Sequence, residues 1–364
     1  MSKLALRRAW FQVHKWIGLA LAALIIPISL TGAVLVWHEE LDTALNPARY
    51  AVSGHAAISP DAYVAAARAK LKPGERIAYL MMPEHGGPVI VAATPASAPA
   101  RPGPPQRTNV YLDPPTARVL EVSSSNAGLM RTFHVLHGSL LVPGVGRTVV
   151  GWIGVAMTLS AFTGLWLWFP TVGRWTRGLR WRRSRDVNAN IHHQFGFWIA
   201  LPLFVLSLTG AWISFPNFFG RLSGESGGPG GGMQARMSAA RAKPVEQPAL
   251  TLGRVIAAAG GEVRQVTWPI EKKPSWTVRL ADGQVAVDDR TGAVGRDAGP
   301  RGGVARLMRR IHDGTGMGIA WRVIITLGGL IPAALAVTGV IMWWRARGWR
   351  AALAARRGAR VAVV

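Results

Sequence analysis

The chain has 364 residues, 49% hydrophobic and 16% charged, with 16 tryptophans, no cysteine and a formal net charge of +24. The absence of cysteine excludes disulfide scaffolds, Cys-ligated zinc, iron–sulfur clusters, thiolate haem and covalently tethered c-type haem, so any metal must sit on His, Met, carboxylate or a cofactor ring. A basic excess in so apolar a chain points to membrane orientation rather than to nucleic acid, provided the cations flank membrane ends.

Four stretches are long and apolar enough to cross a bilayer: Trp16–Trp37, Thr148–Phe169, Phe195–Phe215 and Ile319–Trp344. Lys3, Arg7 and Arg8 precede the first, as in a secretory signal, but its apolar run is too long and lacks a small-residue cleavage site, so it is expected to remain as a span. Lys3, Arg7, Arg8 and Lys15 lie at its start. Residues 171–190 carry Arg174, Arg177, Arg180, Arg182, Arg183 and Arg185 against Asp186. Arg345, Arg347, Arg350, Arg356, Arg357 and Arg360 follow the last span. These clusters mark the cytoplasmic face, and the expected topology is N-in and C-in with two large external loops. Loop 39–130 is balanced at 8 basic and 8 acidic residues, whereas loop 217–311 has 15 basic and 8 acidic, an excess that long translocated loops tolerate.

Self-comparison predicts a tandem duplication. A shift of 178 residues places His192 on His14, Gly196 on Gly18, and Ser207-Leu208-Thr209-Gly210-Ala211 on Ser29-Leu30-Thr31-Gly32-Ala33. A shift of 175 places His312 on His137, Arg322 on Arg147, Thr338-Gly339 on Thr163-Gly164 and Trp343 on Trp168. The same shift pairs Asp288 and Thr291 with Asp113 and Thr116. The fold expected is an all-α membrane core of four transmembrane helices with two small external α+β modules. Its segments are 1–38 (N-terminus and first span), 39–130 (first module), 131–170 (external histidine segment and second span) and 171–190 (basic loop). They continue with 191–216 (third span), 217–305 (second module), 306–345 (external histidine segment and fourth span) and 346–364 (basic tail). In the first module a helix is expected at 60–70 and strands at 77–82, 89–93, 110–112 and 119–122; in the second, a helix at 252–259 and strands at 263–268, 276–280 and 285–287. The Pro/Ala run at 94–105 and the glycine run at 227–232 read as insertions, and the latter lacks the Lys and Ser/Thr of a phosphate loop.

Most of the nine histidines lie near span ends. His14 and His192 occupy equivalent inner positions, and His137 and His312 equivalent outer ones. Halves packed about a pseudo-twofold axis would bring each pair together, and two opposed imidazoles are the axial ligands of a b-type haem. Packing or proton transfer would also conserve a duplicated histidine. His134, one turn before His137, and His193, beside His192, are second-tier ligand candidates, as is His38, which aligns with Pro216. His55 and His85 read as surface residues. The Thr-Gly pairs at 31–32, 163–164, 209–210 and 338–339 suit close helix packing or leave room for a flat macrocycle.

His14-x-Trp16-x-Gly18 closing on Leu30-Thr31-Gly32, Leu136-His137-x-Ser139-Leu140 followed by Gly146-Arg147, His192 with Gly196, and Ile311-His312-x-Gly314 together resemble the PepSY-associated transmembrane family. Tyr111-Leu112-Asp113 with Thr116, and Val287-Asp288 with Thr291-Gly292, resemble the PepSY domain, with Ala117 standing where its turn usually has Gly. The resemblance implies a bacterial inner-membrane protein with periplasmic loops. It further implies two b haems on His14, His192, His137 and His312, no catalytic residue beyond them, and reduction of a ferric siderophore or other ferric chelate in iron uptake. No G-x-G-x-x-G follows a strand, so the electron donor is expected to be a separate cytoplasmic or membrane molecule. The alternative is a non-catalytic membrane protein whose modules bind a periplasmic peptide, protease or transporter. A permease is disfavoured because the spans hold almost no carboxylates or lysines. The bilayer is an expected partner and nucleic acid is not.

Overall fold

A computed structural model describes residues 2–83, 86–95, 106–170, 174–181, 184–224, 241–296 and 303–361. His85, Arg182, Arg183, the glycine run and most of the Pro/Ala run lie outside the described residues. In chain order the helices are α1 (Lys3–Leu35), α2 (His38–Leu45), α3 (Pro60–Arg68), α4 (Leu129–Ser139), α5 (Gly146–Trp168), α6 (Val187–Ser214), α7 (Pro216–Leu222), α8 (Leu252–Ala259), α9 (Val304–Asp313) and α10 (Gly318–Val361). The strands are β1 (Arg76–Met81), β2 (Val89–Thr94), β3 (Thr108–Leu112), β4 (Val119–Ser124), β5 (Val263–Thr267), β6 (Ser275–Leu280), β7 (Gln284–Asp288) and β8 (Val294–Arg296). Contacts divide the chain into two units, Met1–Trp37 with Phe133–Phe219 and Val304–Val364, and His38–Thr132 with Gly220–Gly303.

The first unit is a helical bundle built on α1, α5, α6 and α10, each apolar enough over 18 residues to cross a membrane. Around the bundle, α1 packs on α5, α5 on α6, α6 on α10 and α10 back on α1. Helices α1 and α6 therefore face each other across a diagonal. Large apolar side chains point outward, Trp152 at 64% exposure, Leu201 at 70% and Trp344 at 70%, as a lipid-facing surface requires. Small residues line the seams: a Cβ at Gly154 would meet the Ser207 carbonyl and Ala211, and one at Gly329 would meet the Ser29 carbonyl and Ala33. Two arginines cap helix C-termini, where exposed carbonyls favour a cation. Arg322 donates to the Val36 carbonyl at 2.9 Å and stacks on Trp37, and Arg147 donates to the Ile213 carbonyl. Between α5 and α6, Gln194 donates to the Gly178 and Arg180 carbonyls at 3.0 and 2.9 Å and fixes the short turn Trp175–Leu179.

The second unit is one antiparallel sheet in the order β4-β3-β2-β1-β5-β6-β7-β8. This differs from the separate modules expected from sequence, because β1 and β5 pair edge to edge, Tyr79 with Thr267 and Leu80 with Val266. Each would otherwise leave a row of unpaired backbone groups. Helices α3 and α8 pack on the sheet and on each other. Alternation puts Leu80, Val91, Val110, Leu112, Val266, Val278 and Val287 into one core with Tyr63, Ala67, Leu252 and Val255 of the two helices.

Candidate functional site

All four repeat-matched histidines fall in the bundle unit, and they form two facing pairs. His14 on α1 and His192 on α6 have ring centres 6.3 Å apart and nearly perpendicular planes, at 85°. His137 on α4 and His312 on α9 have centres 6.0 Å apart with planes at 43°. Eighteen residues of α1 separate His14 from Gly32, which His137 touches, so the two pairs are about 27 Å apart along the helix.

Each ring is anchored to a helix other than its own. His14 Nδ1 lies 3.1 Å from the Ser160 carbonyl and 3.1 Å from Thr163 Oγ1 of α5. His137 Nδ1 lies 2.8 Å from the Ile28 carbonyl of α1. His312 Nδ1 lies 3.0 Å from the Leu206 carbonyl and 3.1 Å from Thr209 Oγ1 of α6. His192 Nδ1 lies 3.1 Å from Thr338 Oγ1 of α10 and also bonds the Leu335 backbone. Every carbonyl sits three residues before the threonine of a Thr-Gly pair, and the following glycine receives the imidazole edge. A carbonyl can only accept, so Nδ1 carries the ring proton and Nε2 keeps its lone pair. His137 and His312, on helices outside the spans, are held neutral. Burial lowers both pKa values, that of His312 to about 4 with the neighbouring His137 adding to the effect.

The inner pair opens onto a partly open cavity lined by His14 and His192. Gly18 and Gly196 line it, and nothing lies within 4 Å of where their side chains would project. Apolar lining comes from Met157, Phe197 and Leu203, with Trp168 stacked on Phe197 at 4.0 Å.

His193 also lines this cavity, but its ring stands edge-on to His192 at 6.5 Å, outside the facing pair. His134 lies exposed on α4 beside His137. His38 begins α2 close to Glu39, at 4.0 Å, and His55 is exposed in the other unit. Sequence reasoning missed the anchoring role of the Thr-Gly pairs and took them as packing or clearance. The available signal was their recurrence once per span.

The donor set decides what such a site can hold. Among the described residues no group of three or more His, Cys, Asp or Glu could hold a metal ion. Two imidazoles ligating one ion from opposite sides through Nε2 put their ring centres about 6 Å apart, given ~2 Å metal–nitrogen bonds. The pairs thus fit a metal whose remaining positions are filled by a planar ring, and the residues present fit haem b.

Residues 11–346 are matched by the family model described as PepSY-associated TM region. The chain belongs to the PepSY-associated transmembrane family. With its four apolar helices it is a membrane protein. No match was found among curated proteins. In this PepSY-associated chain the histidine motifs are thus tied to a bundle in which each one reaches across to a neighbouring span.

Proposed function

We propose that this PepSY-associated protein is a two-haem b membrane oxidoreductase that carries electrons from a cytoplasmic or membrane donor to an external ferric complex, a ferric siderophore foremost. The reading rests on one observation: four imidazoles in two facing pairs, each with Nδ1 spent on a helix carbonyl or threonine and Nε2 without a hydrogen-bond partner among the described residues. His14 and His192 would hold one haem, His137 and His312 the other. Bound haem supplies one-electron transfer.

The chain's own residues bind and orient. The Thr-Gly helices fix ring direction, the glycines at 18 and 196 leave the flat space a macrocycle needs, and Trp168 and Phe197 keep the inner cavity apolar. Reduction of Fe(III) to Fe(II) in a chelate needs proximity to an electron donor and no nucleophile or general acid. Hard oxygen ligands hold Fe(II) more weakly, so reduction releases the metal. The same proposal takes the chain as a tandem duplication, with its mixed α/β unit built from two PepSY modules on the periplasmic side of a bacterial inner membrane. The sheet order supports this, since the strands run outward from the central β1–β5 pair in the same sequence in both halves. The cations at Arg174, Arg177 and Arg345 support the inner face being that of His14 and His192.

The test uses oriented vesicles. Haem reduced with dithionite should be reoxidised by an external ferric siderophore, with a ferrous chelator trapping the product. His137→Ala and His312→Ala should lose that reoxidation. Unchanged rates in both variants, or no reoxidation by any ferric chelate tried, would return the chain to a membrane protein whose sheet unit binds a peptide or protein partner.

A further inference from the structure

We infer that Thr163, Thr209 and Thr338 are positioning residues for the imidazoles of His14, His312 and His192, whereas Thr31, their counterpart in the first span, plays no such part for His137. The inference deepens the haem reading and rests on it for the identity of the ligand on Nε2.

All four threonines are buried, and each donates its hydroxyl proton to its own helix. Thr163 donates to the Ser160 carbonyl at 3.1 Å, Thr209 to Val205 at 2.8 Å, Thr338 to Ala334 at 3.0 Å and Thr31 to Pro27 at 2.6 Å. With the proton spent, Oγ1 presents only lone pairs. In three cases an imidazole Nδ1 lies 3.1 Å away and must be the donor, so hydroxyl and carbonyl together hold the N–H and set the ring's tilt. The fourth ring differs. His137 Nδ1 bonds the Ile28 carbonyl at 2.8 Å, and no hydrogen bond to Thr31 Oγ1 occurs among the described residues. A hydrogen-bond acceptor on the far nitrogen of a metal-bound histidine raises its basicity and fixes its orientation. Removing the hydroxyl should therefore weaken three of the four ligands and leave the fourth unchanged.

The test measures haem affinity and midpoint potential one layer at a time. Thr163→Val and Thr338→Val are made in protein whose outer layer is emptied by His312→Ala, and Thr209→Val and Thr31→Val in protein whose inner layer is emptied by His14→Ala. The His14→Ala background keeps His312 as the partner of Thr209. The three contacting variants should raise the midpoint potential, because a less basic imidazole stabilises Fe(III) less, and lower haem affinity by roughly 10–100-fold. The matching Ser variants should restore both, and Thr31→Val should change neither. Equal shifts for Thr31→Val and Thr209→Val, no shift in any variant, or failure of Ser to restore what Val removes would overturn the inference. A wild-type protein that binds no haem would refute the proposed function separately. The ring nitrogen-15 shifts would then still decide this point. Nδ1-protonated rings at His14, His192 and His312 that lose that preference in the Val variants support it, and rings indifferent to the Val substitutions refute it.

Discussion

A methyl group added to the glycine of each Thr-Gly pair would meet an imidazole at graded distances. At Gly32 it would lie 2.7 Å from His137 Cε1, at Gly164 3.0 Å from His14 Cε1, at Gly210 3.0 Å from His312 Cε1 and at Gly339 3.5 Å from His192 Cε1. Only the last is an ordinary van der Waals separation. Gly32→Ala should therefore displace His137 and lose the most haem, Gly164→Ala and Gly210→Ala should lose less, and Gly339→Ala should match wild type, all read from absorbance per chain. A flat series would detach the glycines from the site. The paired histidines were legible in the sequence because shifts of 178 and 175 residues match both residue type and position. Their anchors were not, because Thr163 and His14 lie 149 residues apart and a span's sequence does not say which neighbour it touches.

At the scale of elements, the turn between β3 and β4 is the most exacting piece of the sheet unit. The buried Asp113 carboxylate accepts from the Ser53 amide and hydroxyl at 2.7 Å each and from the Thr116 hydroxyl at 2.6 Å. Burial opposes its charge most strongly, yet the Thr116 and Ser53 hydrogen bonds and the nearby Arg118 outweigh it and hold its pKa below the ordinary value. A depressed carboxyl contributes stability above its unfolded pKa, near 4, and that contribution disappears as pH falls through the folded value. Asp113→Asn should destabilise the unit by about 1–3 kcal/mol at neutral pH, and the difference from wild type should close below about pH 4. Protease resistance of the solubilised protein across pH measures it. In the same turn Ala117 sits at φ 54, whereas its counterpart Gly292 sits at φ 72. A left-handed residue with a Cβ costs about 1–2 kcal/mol, so Ala117→Gly should raise stability by about 1 kcal/mol and Gly292→Ala should lower it by a similar amount. Helices α3 and α8 and strands β1 to β7 were readable from period and turn residues. Strand β8 was not, because its three residues Val294–Arg296 carry too little alternation, and neither was the β1–β5 seam, because an edge's choice of partner leaves no periodic mark.

Across the whole molecule, the sequence of spans α1, α5, α6, α10 around the bundle explains how spans that match in sequence bring histidines into pairs. The matched helices α1 and α6 occupy opposite corners, so His14 and His192 converge across the diagonal, while each anchors on an adjacent corner. The two pairs belong to different layers and should empty independently. His14→Ala or His192→Ala should remove one haem, His137→Ala or His312→Ala the other, each leaving about half of the absorbance, and His38→Ala should leave both. If His134→Ala or His193→Ala emptied a layer that its neighbour's substitution spared, the facing pairs would not be the ligands. The most direct measurement is haem stoichiometry in the purified membrane protein after expression with ample haem. The account predicts two low-spin b haems per chain, both released by acid–acetone because the chain has no cysteine to tether them. A protein without haem absorbance, or with covalently retained haem, would contradict it.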